Sequence, residues 1–259
     1  MNKDHREEIG RCLKELRLSA ARQQYSDIAE KCRAEGSSYE IYLLNVLRQE
    51  CDVRRERRIG RYLNESRLPL EKTLESFDLK RLPLEVTRQV KTLLGGDFID
   101  SHENLLVFGN PGSGKTHLVC GLAQGLIRQD KRVYFTTCAL LLQQLLKSKK
   151  ELRLDRLLKN MSRYDELIID DTGYVQQEKE QMEVLFTLRA ERYERGSIII
   201  TSNLPFSKWN NIFKDPMMTA AAVDRIVHHS VVLELNVDSY RIDSAKKRKI
   251  VGSNKKSKN

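Results

Sequence analysis

The sequence predicts an α/β protein: a parallel five-stranded sheet between helices, plus a small all-helical N-terminal domain. Three observations predict it. Five short runs rich in Ile, Val and Leu lie at Leu105–Phe108, Arg132–Thr136, Glu166–Asp170, Ser197–Thr201 and Ser230–Leu235, separated by helix-patterned intervals. Continuous apolar strands alternating with helices imply a parallel sheet covered on both faces. A glycine-rich loop, Gly109-Asn-Pro-Gly-Ser-Gly-Lys-Thr116, joins the first run to a helix pattern over Leu118–Leu126. Residues 1–68, in contrast, carry helical apolar spacing.

Along that N-terminal region, Ile9, Leu13, Leu16 and Ala20 recur at helical spacing, as do Tyr25, Ile28 and Ala29. Gly36-Ser-Ser38 breaks the pattern and supplies an N-cap for the next helix. Tyr39–Leu47 is densely apolar and is expected to pack against the first helices. Beyond it stand Arg54, Arg55, Arg57, Arg58 and Arg61, of which 54, 57, 58 and 61 share a helix face. That face either binds DNA phosphates or is a solvated face paired with Glu50, Asp52 and Glu56. Pro69 and Pro83 bracket a linker, 69–84, that contains Thr73-Leu-Glu-Ser-Phe-Asp78. A helix over Leu84–Leu94, stopped by Gly95-Gly96, opens the α/β domain, 85–243. The last stretch, 244–259, is basic and poor in apolar residues, so it is expected to be disordered. It is either a nucleic-acid arm or a solubilising tail.

The 259 residues allow one or two domains with a buried core, and the formal net charge of +10 favours a polyanionic partner. No apolar run is long enough to span a bilayer, and Met1–Glu8 lacks a signal-peptide core. The cysteines at 12, 32, 51, 120 and 138 form no metal or redox spacing. These features point to a cytoplasmic protein without a membrane partner.

The loop matches the pattern G-x-x-x-x-G-K-[ST], whose glycines let backbone N–H groups turn toward phosphate oxygens. Lys115 would reach the β- and γ-phosphates, and the Thr116 hydroxyl would ligate Mg²⁺. The following helix points its N-terminus at the phosphates. Leu167-Ile-Ile-Asp170-Asp171 is an apolar strand ending in acids, as in a Walker B motif. Asp170 would hold Mg²⁺ and Asp171 would orient the attacking water. Thr201-Ser202-Asn203 ends the next apolar strand, and Asn203 can both donate and accept near the γ-phosphate. Arg225, on a predicted helix far downstream, is a candidate arginine finger for a neighbouring subunit, or the partner of Asp224 or Glu191. His228 and His229 diverge on a helix and do not read as a metal pair.

These motifs, in this order, resemble the IstB-like ATP-binding proteins of insertion sequences, which are relatives of DnaC-type helicase loaders. The carriers are Thr73–Asp78, Gly109–Thr116, Leu167–Asp171 with Gly173-Tyr174, Thr201–Asn203, Asp224-Arg-Ile-Val-His-His229 and Ser239-Tyr-Arg241. The resemblance implies an AAA+ P-loop ATPase. It places Gly109, Asn110, Pro111, Gly112, Ser113, Gly114, Lys115, Thr116 and His117 at the nucleotide, with Phe77 near the adenine. It makes Asn203 sensor 1, Arg225 an arginine finger acting in trans, and Arg241 a sensor 2 position. It implies ATP and Mg²⁺ as cofactors, a homo-oligomer formed with ATP on duplex DNA, and a partner transposase assisted in target selection. Asp171 stands where the wider class has Glu, one methylene longer, so slow turnover is expected. The short stretch after Arg241 leaves no room for a helical lid.

Two other functions compete. A DnaC-like helicase loader would prefer single strands and a hexameric helicase. A small-molecule P-loop kinase would need an arginine-bearing lid, for which the basic stretch Lys147–Arg156 lacks flanking glycines.

Overall fold

The computed structural model describes residues 3–172, 179–205, 229–237 and 239–240. The chain divides into two compact units, Met1–Arg61 and Tyr62–Asn259, a division that falls ahead of the sequence boundary at 68.

The N-terminal unit comprises α1 (Lys3–Glu15), α2 (Ser19–Ala34) and the first part of α3 (Tyr39–Glu65). The apolar spacing from Ile9 to Ala20 is interrupted: Arg17 adopts φ 57, and the Leu18 N–H returns to the Leu13 carbonyl at 2.8 Å. The end of α2 uses Gly36, at φ 63, for the same left-handed position. Ser38 then caps α3 through the Ile41 N–H at 3.4 Å.

Tyr39–Leu47 does not pack inward as expected. Val46 is buried, but Tyr39, Ile41, Leu43, Leu44 and Leu47 are exposed. The inward face of α3 is held by a charge instead. Leu18 offers no side-chain cap to α2, and the buried Glu50 carboxylate takes over, accepting from Ala20 N (2.7 Å) and Ala21 N (2.9 Å). Arg54 Nε donates to the same carboxylate at 2.8 Å, and its Nη2 reaches the Arg17 carbonyl at 2.7 Å. Burial alone would raise the Glu50 pKa. The Ala21 and Ala20 N–H groups and Arg54 outweigh it and hold the group below its usual range. Arg57 donates to Ser19 Oγ at 3.1 Å. Arg54 therefore has a structural role, and Arg57 shares in it.

In the second unit, a short 3-10 helix (Leu79–Arg81), α4 (Leu84–Leu93) and α5 (Asp97–Asp100) precede β1 (Asn104–Gly109). Next come α6 (Lys115–Ile127), β2 (Val133–Thr137), α7 (Cys138–Lys150), α8 (Leu154–Met161), β3 (Glu166–Asp170), α9 (Lys179–Arg192), β4 (Ser197–Ser202) and β5 (Ser230–Leu235). Among the described residues the five strands are parallel, in the order β2-β3-β4-β1-β5. Strands β3 and β4 are buried throughout, as central strands covered on both faces must be. One face packs Phe108, Leu141, Leu145, Leu167, Ile169 and Leu188 into a continuous core.

The 69–84 linker is part of this unit. Gln124 Nε2 on α6 donates to the Lys72 carbonyl at 3.0 Å and the Leu70 carbonyl at 3.4 Å. Leu74 packs so closely on Gly121 that a Cβ there would lie 2.7 Å from the Leu74 nitrogen.

At the N-terminal edge of the strands, buried Arg192 donates to the Met161, Tyr164, Asp165 and Ser197 carbonyls at 2.9–3.1 Å. Beside it Glu166 is fully buried, and burial pushes its carboxyl well above the usual range, with Arg192 opposing. No helix among the described residues is long and apolar enough to cross a membrane.

Candidate functional site

The sheet order puts β4 between β1 and β3, so three strands deliver polar residues to one C-terminal edge. In open parallel sheets that edge is where ligands bind. The loop after β1 turns at Gly112 (φ 83) and Gly114 (φ 98), and Gly114 is the N-cap of α6. A Cβ at Gly114 would sit 2.8 Å from the Phe77 ring, so a side chain there would collide with the linker.

Lys115 is buried, and its Nζ donates to the carbonyls of Gly109 (2.7 Å) and Asn110 (3.1 Å). Thr116 Oγ1 lies 3.0 Å from both Asp170 carboxylate oxygens. A hydroxyl and a carboxylate converging this way are the hard oxygen donors that suit Mg²⁺, which takes one or two carboxylates and fills its shell with water and phosphate. Asp171, at φ 59, lines the cleft beside them. Asn203 follows β4 on the same edge, and its Oδ1 is buried without a partner, as is Ser113 Oγ. Unpaired buried polar atoms are rare in folded proteins, and at this edge a ligand could complete these two.

Before these residues opens a cleft of about 290 Å³, walled by the linker residues Lys72, Ser76, Phe77, Asp78, Arg81 and Leu82 and by Gly112–His117. His117 binds the linker rather than the cleft interior. Its Nε2 is 2.9 Å from the Thr73 carbonyl and 3.0 Å from Ser76 Oγ, and its ring meets Phe77 edge-on at 5.3 Å. Phe77 is thereby held over the loop, against Gly114. Gly109, Asn110 and Pro111 form the rising limb of the loop and lie outside the cleft wall.

Sequence reasoning missed three contributors. Thr201 is fully buried; its hydroxyl donates to Asp170 Oδ1 (2.5 Å) and accepts the Asp171 N–H (3.0 Å), while its carbonyl accepts Thr172 N and Oγ1. One strand residue thus positions the whole acidic end of β3. Arg81 and Tyr240 close the other side of the cleft. The guanidinium lies 5.2 Å from the ring centroid, and the Tyr240 N–H donates to the Gly112 carbonyl at 3.0 Å. Thr201 and Tyr240 stood inside motifs whose other members drew attention; nothing in the sequence marked Arg81. Arg225, Arg241, Gly173 and Tyr174 lie outside the described residues, as does the 244–259 tail.

A parallel sheet in this order, a phosphate loop, a Walker B acid and an adjacent polar strand end define an AAA+ P-loop ATPase. The family model for IstB-like ATP binding proteins matches residues 11–248, and the chain belongs to that family. It is 41% identical over 242 residues to an insertion sequence ATP-binding protein of Sinorhizobium fredii, covering 93% of this chain and 81% of that protein. It is 34% identical over 242 residues to the insertion sequence IS21 ATP-binding protein of Pseudomonas aeruginosa, covering 93% and 91%. Among solved structures, the DnaC helicase loader superposes with a TM-score of 0.54 at 18% identity, over 69% of this chain and 99% of that one. AMPPCP-bound DnaA from Aquifex aeolicus superposes at 0.55 and 20% identity, over 72% of this chain and 56% of that one. Identities this low show the shared fold alone.

Proposed function

We propose that this ATPase assembles on duplex DNA with ATP and Mg²⁺ and assists the transposase of its insertion sequence in choosing and using a target. The single observation that supports the ATP chemistry is the chain of contacts Thr116–Asp170–Thr201–Asp171, which brings a hydroxyl–carboxylate pair and a second acidic residue to one strand edge. The kinship with insertion sequence proteins over most of the chain supports the transposition role.

Lys115 would leave the loop carbonyls for the β- and γ-phosphates, and Thr116 and Asp170 would hold the Mg²⁺ that neutralises them. Asp171 would orient water, and Asn203 would report the γ-phosphate. Arg225 of a neighbour would complete the site, making nucleotide binding the switch for assembly. Arg55, Arg57, Arg58 and Arg61 would follow the DNA backbone without reading bases. The protein would act in the cytosol, where its DNA lies.

The test is ATP turnover with duplex, single-stranded or no DNA, with and without the transposase encoded beside it. Duplex-stimulated turnover together with transposase-dependent strand transfer is expected. A preference for single strands with tight binding to a hexameric helicase would replace the reading with a loader. Phosphate transfer to a metabolite would replace it with a kinase.

A further inference from the structure

The linker lies along one stripe of α6. His117, Gly121 and Gln124 share a helix face. Gln124 holds the Leu70 and Lys72 carbonyls, Gly121 meets Leu74, and His117 reaches the Thr73 carbonyl and Ser76 Oγ. The linker therefore runs antiparallel to α6, toward the phosphate loop, and Phe77 ends against Gly114. Gly121 admits this approach: a Cβ there would lie 2.7 Å from the Leu74 nitrogen and 2.8 Å from its Cγ.

This strap fixes the backbone of Lys72 on both sides. The Lys72 N–H donates to the Pro69 carbonyl at 3.1 Å, and its carbonyl accepts from Gln124 at 3.0 Å. The side chain is half-buried and lines the nucleotide cleft. Three lysines or arginines line that cleft: Lys72, Arg81 and Lys115. Lys115 rests on the Gly109 and Asn110 carbonyls, and Arg81 stacks on Tyr240. Among the described residues the Lys72 ammonium has no acidic or carbonyl partner. Of the two acids in the cleft wall, Asp78 caps the 3-10 helix through the Lys80 N–H at 3.2 Å, and Asp171 stands beside the metal-binding pair.

Buried Cys120, one turn beyond Thr116 on α6, locates the ammonium. Burial pushes that thiol up to about 12, Lys72 opposes the rise, and Asp170 adds to it. Lys72 and Asp170 thus act on the same turn of the helix, at the end of the cleft where the Mg²⁺ and the outer phosphates of ATP would lie. A cation that is half-buried without a partner has given up water for nothing. An arriving phosphate oxygen would repay it, and with the backbone already fixed only side-chain rotamers remain to be ordered.

We propose that Lys72 is a second phosphate-binding lysine, carried to the cleft by the α6 stripe, which donates to β- or γ-phosphate oxygens of ATP alongside Lys115. The proposal rests on the ATPase reading and adds a contact from outside the phosphate loop. The full-length protein is loaded with a fluorescent ATP analogue, which is displaced with ATP, ADP or AMP at fixed Mg²⁺. Lys72→Gln should bind ATP about tenfold more weakly and AMP less than about twofold more weakly, at an unchanged melting temperature. Lys72→Arg should recover most of the affinity by keeping the charge. Gly121→Ala should push Leu74 and the strap away and weaken ATP binding too, and combining it with Lys72→Gln should cost little more than Lys72→Gln alone. If Lys72→Gln binds ATP as tightly as the unaltered protein, Lys72 is no phosphate contact although the ATPase reading stands. Equal losses for ATP and AMP would place Lys72 at the base or ribose and overturn the proposal. Full additivity of the two substitutions would overturn the placing of the cation by the α6 stripe. No ATP binding by the unaltered protein would overturn the proposal and the ATPase reading together.

Discussion

At the C-terminal edge of the sheet, Thr116 and Thr201 both bind the Asp170 carboxylate, and Lys115 rests on two loop carbonyls. At the N-terminal edge, Arg192 ends on four backbone carbonyls beside fully buried Glu166. Both edges bury charge, and both Lys115 and Arg192 are held by backbone carbonyls, although the Glu166 carboxyl oxygens have no hydrogen-bond partner. The difference lies in what can take the partners' place. A phosphate oxygen can replace the loop carbonyls at Lys115, and a cation can enter between Thr116 and Asp170. Nothing can replace main-chain carbonyls fixed by three separate elements at Arg192. A buried charge becomes functional when its partners are exchangeable and structural when they are backbone.

The contrast breaks most easily at Arg192. Arg192→Met should strand four buried carbonyls and destabilise the second unit by about 3–5 kcal/mol, read by urea unfolding. Nucleotide affinity of the folded fraction should be unchanged; a specific loss of ATP binding without loss of stability would erase the distinction. Lys115→Ala should do the opposite, weakening ATP binding by roughly 100-fold or more at nearly unchanged melting temperature, as measured with a fluorescent analogue.

Thr201 sharpens the comparison because it is as buried as Arg192 yet serves the exchangeable edge. Thr201→Val should lower kcat about 10–100-fold and raise the Mg²⁺ requirement, with Thr201→Ser restoring most of both. Equal loss in the Val and Ser variants would mean that the methyl packing, not the hydroxyl, matters.

The smallest effect is expected at Glu166, through pH. Its folded pKa is raised by burial, while the unfolded chain ionises near about 4.3. Between those two values the unfolded state binds fewer protons, so stability falls as pH rises. Glu166→Gln should flatten that fall in urea titrations from acid to neutral pH, without changing turnover. An unchanged slope would show that Glu166 stays ionised against Arg192.

Much of the fold was legible in the sequence because its signals are local. The strand runs at 105, 166 and 197, the loop from Gly109 to Thr116 and the acids at 170–171 are each contiguous, and each stands where its pattern put it. Local density misled at Tyr39–Leu47, because apolar content does not say which face of a helix finds a partner. Arg54 looked like one cation of a phosphate-binding face and is tied to Glu50 and the Arg17 carbonyl, 37 residues away in the chain. The linker read as a tether and is bonded to α6 through Gln124, some fifty positions on.

The sequence by itself determined the class of sheet, the phosphate loop and the kind of chemistry. Those depend on backbone conformations and side chains close together in the chain. Only the tertiary structure decided that Thr201 holds Asp170 and that Phe77 covers Gly114 through His117. Each of these depends on strand register or on the packing of distant segments, and a linear pattern specifies neither of them.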